Sequence, residues 1–313
     1  MKVIFFGLGS IGKRHAELLP ETGRHELFAF RSRPGKTMNS PGIKEVYSWD
    51  DVKMLKPEAA FITNPTGMHI GTALKCASLG MHLFIEKPLS DRMDGIDELE
   101  ALVREKRLTC YTAFCLRFHP VIKKIRELVS DKKIYHARAV CTSFLPDWRP
   151  RQDHKKHYSA YKGKGGGVIL ELAHEFDYIQ HILGPIKRIR GVCGRTADIT
   201  VDAEDCADAL IALENGVNIN MHINFLSHIA ERSVKIDFEH GYVIGDLVAN
   251  NVDYFYKGRD KRYAFTAGRD EYLRKQLEYF FANIGNESIM NNIGEAKALL
   301  AKVLEFRNGE AQE

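Results

Sequence analysis

The chain has 313 residues, 44% hydrophobic and 27% charged, with a formal charge of +4. That length supports two cores, and so small a positive balance suits an anionic small molecule while excluding the basic stripe of a nucleic-acid binder. Six cysteines (Cys76, Cys110, Cys115, Cys141, Cys193 and Cys206) form no C-x-x-C pair, as expected of reduced thiols in a cytoplasmic protein. No apolar run is long enough to span a bilayer. The apolar opening runs into glycines rather than a cleavage site, so no secretory leader is expected.

Val3-Ile4-Phe5-Phe6 reads as a strand, and Ile11 to Leu19 reads as a helix. Between them, Gly7, Gly9 and Gly12 keep the G-x-G-x-x-G spacing around Ser10 and Ile11. Each glycine has a task in a dinucleotide-binding turn. The first permits the tight exit from the strand, the second admits a pyrophosphate, and the third lets the helix pack closely. A second strand, residues 26–30, delivers Arg31-Ser32-Arg33 where an acidic residue would bind the ribose 2′-hydroxyl. Arginine there suits a 2′-phosphate, so NADP(H) is favoured and NAD(H) remains possible.

Residues 35–42 are turn-rich, a short strand is expected near Val46-Tyr47, and Asp50 or Asp51 would cap a short helix. Ala59 to Ile62 is a buried strand ending in Thr63-Asn64-Pro65-Thr66, with a helix from about Met68 to Leu79. Loops at the carboxyl ends of parallel strands form the ligand crevice, which places Asn64, Pro65 and Thr66 beside the cofactor. His69 opens the helix and reads more readily as structural than as catalytic. Residues 82–85 form the next strand, followed by Glu86-Lys87-Pro88. A lysine at a strand's carboxyl end, fixed by proline, is placed to exchange a proton with a substrate hydroxyl. The competing reading is a surface lysine paired with Glu86. Ser90 would cap a helix to about Lys106, and residues 108–114 give another strand. Strand and helix alternate throughout, which implies a parallel sheet with helices on both faces.

After Arg117-Phe118-His119-Pro120 the pattern changes, setting domains of 1–118 and 119–313. A helix over 121–129 leads into strands over 136–144, 186–193, 207–213, 217–225, 233–238, 242–247 and 252–256, most alternating polar with apolar. That is a mostly antiparallel sheet with one covered face. Helices over 269–284 and 294–306 close the chain. The fold class is therefore α/β, an N-terminal Rossmann domain followed by an α/β domain on a mostly antiparallel open sheet.

Residues 148–164 are rich in Arg, Lys, His and Tyr, and Gly165-Gly166-Gly167 follows. From Val168 to Leu183 the apolar spacing predicts one helix. On it Glu171, His174, Glu175 and Tyr178 stand at i, i+3, i+4 and i+7, sharing a face. A histidine with carboxylates there suits proton transfer, and equally a surface network. Arg149, Arg151, Lys155, Lys156, Lys162 and Lys164 could bind a substrate phosphate or carboxylate, or could be solvated. His154 and His157 lack a third ligand at metal spacing, so no metal is expected.

Gly7-Leu8-Gly9-Ser10-Ile11-Gly12, Asn64 to His69, Glu86-Lys87-Pro88, Arg117 to Pro120 and the Gly165-to-Asp177 segment together resemble the glucose-fructose oxidoreductase / inositol dehydrogenase (Gfo/Idh/MocA) family. Leu145 to Pro150, Tyr158 to Ala160 and His174 to Tyr178 are most similar to members associated with bacterial surface-sugar biosynthesis. The resemblance implies hydride transfer between a sugar-like carbinol and nicotinamide. Lys87 matches the lysine that bonds the reacting hydroxyl, His174 the proton donor or acceptor, and Glu171 a position that is commonly aspartate. It also implies His69, Glu86, Lys87 and Arg117 near the cofactor, and Trp148, Arg149, Tyr158, Lys87 and His174 near the substrate. Oligomerisation through the second sheet, as a homodimer or homotetramer, is implied as well. Glu171 precedes His174 by three residues where the family has four, which weakens its match. The expected function is an NADP(H)- or NAD(H)-dependent oxidoreductase acting on a sugar or nucleotide-sugar, without nucleic-acid or membrane partners. The alternatives are an NADP(H)-sensing protein without chemistry and a hydrolase-like member that retains NAD.

Overall fold

The computed structural model describes residues 1–23, 25–32, 42–150, 152–266 and 268–309. It divides into two compact units, Met1–Phe114 with Arg269–Leu300, and Cys115–Gly268 with Ala301–Glu313.

In the first unit six parallel strands, β1 (Lys2–Phe6), β2 (Glu26–Phe30), β3 (Ile43–Val46), β4 (Ala59–Ile62), β5 (His82–Glu86) and β6 (Cys110–Ala113), lie in the order β3-β2-β1-β4-β5-β6. The order reverses direction at β1 and β4, the switch point at which doubly wound sheets bind ligands. β4 is buried at every position, as its unbroken apolar sequence requires in a sheet covered on both faces. The helices are α1 (Ser10–Leu18), α2 (Trp49–Leu55), α3 (His69–Ser78) and α4 (Ile96–Glu105). Two starts differ from the sequence expectation. Ser48, not Asp50 or Asp51, caps α2, its hydroxyl accepting from the Asp51 N–H at 3.0 Å while Asp51 accepts from the Ser48 N–H at 3.0 Å. This is a capping box that satisfies two donors reciprocally. α4 starts at Ile96 rather than after Ser90, because Gly95 takes φ +77° and interrupts the helical path.

The second unit holds eight strands, β7 (Ile134–Phe144), β8 (Ile186–Gly194), β9 (Cys206–Leu213), β10 (Asn218–Asn224), β11 (Leu226–Phe238), β12 (Gly241–Asp246), β13 (Asn251–Tyr256) and β14 (Arg259–Ala264), in the order β14-β13-β12-β11-β7-β10-β9-β8. All neighbours pair antiparallel except β7 with β10. β14 was not expected, since the polar run Arg-Asp-Lys-Arg-Tyr-Ala lacks apolar alternation. As an edge strand it is tied to β13 by a turn at Lys257 and Gly258, both with positive φ, as such hairpins require. Helices α5 (Pro120–Val129), α6 (Val168–Glu171) and α7 (His174–Leu183) complete the unit. The single helix expected over 168–183 is broken at Leu172–Ala173.

Two helices end the chain, α8 (Arg269–Ala282) and α9 (Ile293–Arg307). Expected within domain 119–313, α8 instead belongs to the first unit, as does α9 through Leu300. The reason is aromatic burial: Phe280 stands edge-on to Phe61 and Phe84 at 5.8 and 5.4 Å, and Phe281 stacks on Phe61 at 6.1 Å. Each buried phenylalanine contributes about 1.5–3 kcal/mol by leaving water, which outweighs proximity in sequence. The unit boundary at Phe114 lies slightly before the expected residue 118.

Candidate active site

In the first unit the glycine turn joins β1 to α1. Gly7 takes φ +106°, and a Cβ there would stand 2.6 Å from the Asn64 nitrogen. A Cβ on Gly12 would meet the Gly7 carbonyl at 2.4 Å, whereas one on Gly9 would meet nothing within 4 Å. Two glycines are thus demanded by packing, and the third faces open space. Thr63, at the end of β4, donates from its hydroxyl to the Gly7 carbonyl at 2.5 Å and holds the turn. The start of α1 has no side-chain cap and no acidic residue in its first turn. Its N–H groups and positive dipole end are therefore suited to a pyrophosphate, and this geometry fits a dinucleotide.

Because β1, β4 and β5 are parallel neighbours, Gly7, Asn64 and Lys87 all lie at their carboxyl edge. Asn64 donates to the Thr72 hydroxyl at 2.9 Å. His69 is buried, its ring nitrogens 2.9 and 3.0 Å from the Asn64 and Pro88 carbonyl oxygens. It thereby ties the loops after β4 and β5 together. Burial lowers its pKa despite those two carbonyls, which supports the structural reading of this histidine. Lys87 is half-buried, and its backbone N–H donates to Glu86 at 3.2 Å. Glu86 also accepts from the buried His15 Nε2 at 2.7 Å. Burial works to raise the Glu86 carboxyl, but His15 and Lys87 together hold it below the usual range. Arg31 stands 3.8 Å from Glu45, Ser32 is exposed, and Arg33 lies outside the described residues.

In the second unit the triple glycine fits closely against its surroundings. A Cβ on Gly166 would stand 2.3 Å from the Tyr158 carbonyl, and Gly167, at φ +103°, would press one against the Glu204 carboxylate. Arg307 locks that carboxylate at 3.0 Å and donates to the Gly166 carbonyl at 2.6 Å. The turn leads into α6, whose last residue, Glu171, accepts from the Ser159 hydroxyl at 3.0 Å. His174 is half-buried and opens α7. The break at Leu172–Ala173 leaves Glu171 on α6 while His174, Glu175 and Tyr178 share α7, where the latter two are buried. Glu175 is fully buried and accepts from Arg232 at 2.7 Å, and Tyr178 is likewise fully buried.

Arg117, implied beside the cofactor by the resemblance, is buried in a bidentate pair with Asp177 of α7, with contacts of 2.7 and 3.0 Å. Nearby, burial and the charges of Arg117 and Arg126 push His181 down to about 3. The sign follows directly: the unfolded chain protonates this histidine near its ordinary value of 6.5 and the folded chain does not, so stability falls as pH drops from 6.5 toward 3. Replacing His181 by Gln is expected to flatten the loss of Tm across that window. An unchanged acid slope would show that His181 does not drive it.

Trp148 donates from its indole to Ser143 at 2.9 Å, and Arg149 and Tyr158 are half-buried. In the basic passage two lysines face carboxylates and a third faces a ring. Lys155 pairs with Asp198 at 3.1 Å, Lys156 lies 3.8 Å from Asp153, and Lys164 stands over the Tyr161 ring. Arg151 lies outside the described residues.

Residues 1–114 match the oxidoreductase family's NAD-binding Rossmann fold, and residues 122–244 match the GFO/IDH/MocA C-terminal domain. The chain belongs to the Gfo/Idh/MocA family. It is similar to myo-inositol 2-dehydrogenase of Thermotoga maritima, 26% identical over 59% of this chain and 55% of that one. UDP-N-acetylglucosamine 3-dehydrogenase of Acidithiobacillus ferrooxidans is 24% identical over 71% of this chain and 66% of its own. The matched stretches span little more than half the length of the first of these curated relatives. In fold it resembles levoglucosan dehydrogenase in complex with NADH, with a TM-score of 0.86 over 99% of this chain and 98% of that chain at 16% identity.

For this Gfo/Idh/MocA chain, the glycine turn, Asn64 and Lys87 share one sheet edge as their motifs implied, while Lys87 and His174 belong to different units. Sequence reasoning missed Thr63, His15, Ser159, Glu204 and Arg307. His15 had a signal, since it follows Gly12 at i+3 on the buried stripe of α1. The others join through tertiary contacts alone.

Proposed function

We propose that this protein is a cytoplasmic, NADP(H)-preferring oxidoreductase that moves hydride to or from a hydroxyl or carbonyl carbon of a sugar or nucleotide-linked sugar. NAD(H) is its lesser partner. The observation that carries this reading is that Lys87 and the Gly7–Gly12 turn stand at one carboxyl edge of adjacent parallel strands. When bound, the nicotinamide supplies the hydride acceptor or donor. Lys87 would hydrogen-bond the reacting oxygen and stabilise negative charge developing there, His174 would take or return its proton, and Glu171 would hold the charge that results. Ser10, Ile11, Asn64, Pro65 and Thr66 would line the cofactor, with His69 and Glu86 fixing the loops that carry them. Trp148, Arg149 and Tyr158 would contact the sugar. Exposed Val192 and Leu210 on β8 and β9 support assembly as a homodimer or homotetramer through the open face of that sheet. No helix among the described residues is long and apolar enough to cross a membrane.

A panel of free and nucleotide-linked sugars with NADP⁺ or NAD⁺, followed by absorbance of the reduced nicotinamide, tests the reading. Reduction with one sugar class, faster with NADP⁺, is expected. Tight cofactor binding without any hydride transfer would overturn it in favour of a sensing protein. Arg31→Ala is expected to weaken NADPH binding about tenfold, the loss of one charge-assisted hydrogen bond, and to leave NADH binding unchanged. An equal loss for both cofactors would remove Arg31 from the choice between them.

A further inference from the structure

One hydrogen-bonded chain in the second unit runs from Glu171 through two residues, Ser159 and His157, to which that mechanism gives no part. Ser159, 1% exposed, lies between Glu171 and His157. Its hydroxyl oxygen is 3.0 Å from Glu171 Oε1 and 2.8 Å from His157 Nδ1. A serine hydroxyl carries one proton and can also accept one, so it can face either neighbour and join them. His157 is half-buried, with the Tyr158 ring 4.5 Å from its own.

We infer that Glu171, Ser159 and His157 form a proton relay between the candidate site and solvent. The inference rests on the proposed hydride chemistry, which must dispose of or supply one proton per turnover. In the oxidative direction the proton that His174 takes from the substrate hydroxyl passes on, the His174 N–H bond breaking as an O–H bond forms on the Glu171 carboxylate. The Glu171 O–H bond then breaks as a new O–H bond forms at Ser159 Oγ, while the original Ser159 O–H bond breaks and an N–H bond forms at His157 Nδ1. Glu171 is again a carboxylate, and His157 is an imidazolium that releases its Nε2 proton to water. In reduction the same bonds form and break in reverse. The charged groups acting on His157 are Arg149 and Glu171. Burial first, and then the Arg149 charge, lower its pKa against the opposing pull of Glu171, so the imidazolium releases its proton readily.

The relay is tested with Ser159→Ala, His157→Gln and the double variant, assayed with the sugar that the wild-type protein turns over. Each single variant is expected to lose about 100-fold in kcat, the low end of a general acid–base contribution. KM and cofactor affinity should hold, the pH limb set by His157 should vanish in His157→Gln, and the double variant should be no slower than the singles. Multiplying losses, or an effect on KM alone, would overturn the relay while leaving hydride transfer intact. A readout independent of activity is the NMR titration of the His157 ring. Its pKa should fall in Glu171→Gln, where the opposing carboxylate charge is lost, and an unmoved titration would overturn the coupling. Absence of turnover in the wild-type protein would instead overturn the proposed function and, with it, the relay's part in catalysis.

Discussion

Lys87→Met is expected to cut hydride transfer by about 10²–10⁴-fold, the range that a positioned proton-transfer group contributes, with NADPH binding nearly unchanged. Methionine keeps the length of the apolar stem and removes the ammonium. Three observations localise the effect to chemistry. The pyrophosphate cradle at Gly7 to Gly12 is built from backbone and does not use this side chain. The Lys87 backbone N–H donates to Glu86 and is unchanged by the substitution. Glu86 keeps its second partner, His15, at 2.7 Å, so the loop survives the substitution. Single-turnover measurement with NADPH fluorescence separates the two steps. Retained turnover would remove Lys87 from the mechanism, and lost fluorescence enhancement would make it a cofactor residue instead.

Breaking the Arg117–Asp177 pair carries the largest expected cost in stability. Both side chains are almost fully buried, at 5% and 1% exposure, and the guanidinium grips the carboxylate through two nitrogens. Arg117→Met strands a carboxylate away from water, which costs about 3–5 kcal/mol, and urea denaturation should show a correspondingly lower midpoint at unchanged slope. The double variant Arg117→Met with Asp177→Leu should recover most of that loss, since an apolar pair of similar volume is often no less stable. Equal instability in the single and double variants would show that packing, rather than the stranded charge, sets the cost. Asp177 lies one turn beyond His174 on α7, so this pair also anchors the helix that presents the candidate proton donor.

The parts of the site legible in the sequence depend on backbone geometry that only certain residues permit. Gly7 and Gly12 sit where a Cβ would collide with backbone, and their spacing reports that constraint without any tertiary knowledge. The β4 run from Ala59 to Ile62 announces double-sided burial by being apolar throughout. Lys87 was legible by position, because a residue just past a parallel strand falls at the ligand edge. Arg117 and Glu175 were legible as positions but not in their partners. A charged residue looks the same in one dimension whether it faces a ligand or a buried partner. Asp177 and Arg232 are those partners, separated from them by 60 and 57 residues.

The Rossmann unit, its dinucleotide turn and the lysine at its edge follow from local steric rules and short-range periodicity, and so can be read from residue order. Tertiary structure alone decided the membership of α8 in the first unit, the break after Glu171, and the Glu171–Ser159–His157 chain. Burial of Phe280 against Phe61 and Phe84 outweighs chain order, and the serine meets the carboxylate only because folding brings a loop within hydrogen-bonding distance of a helix end.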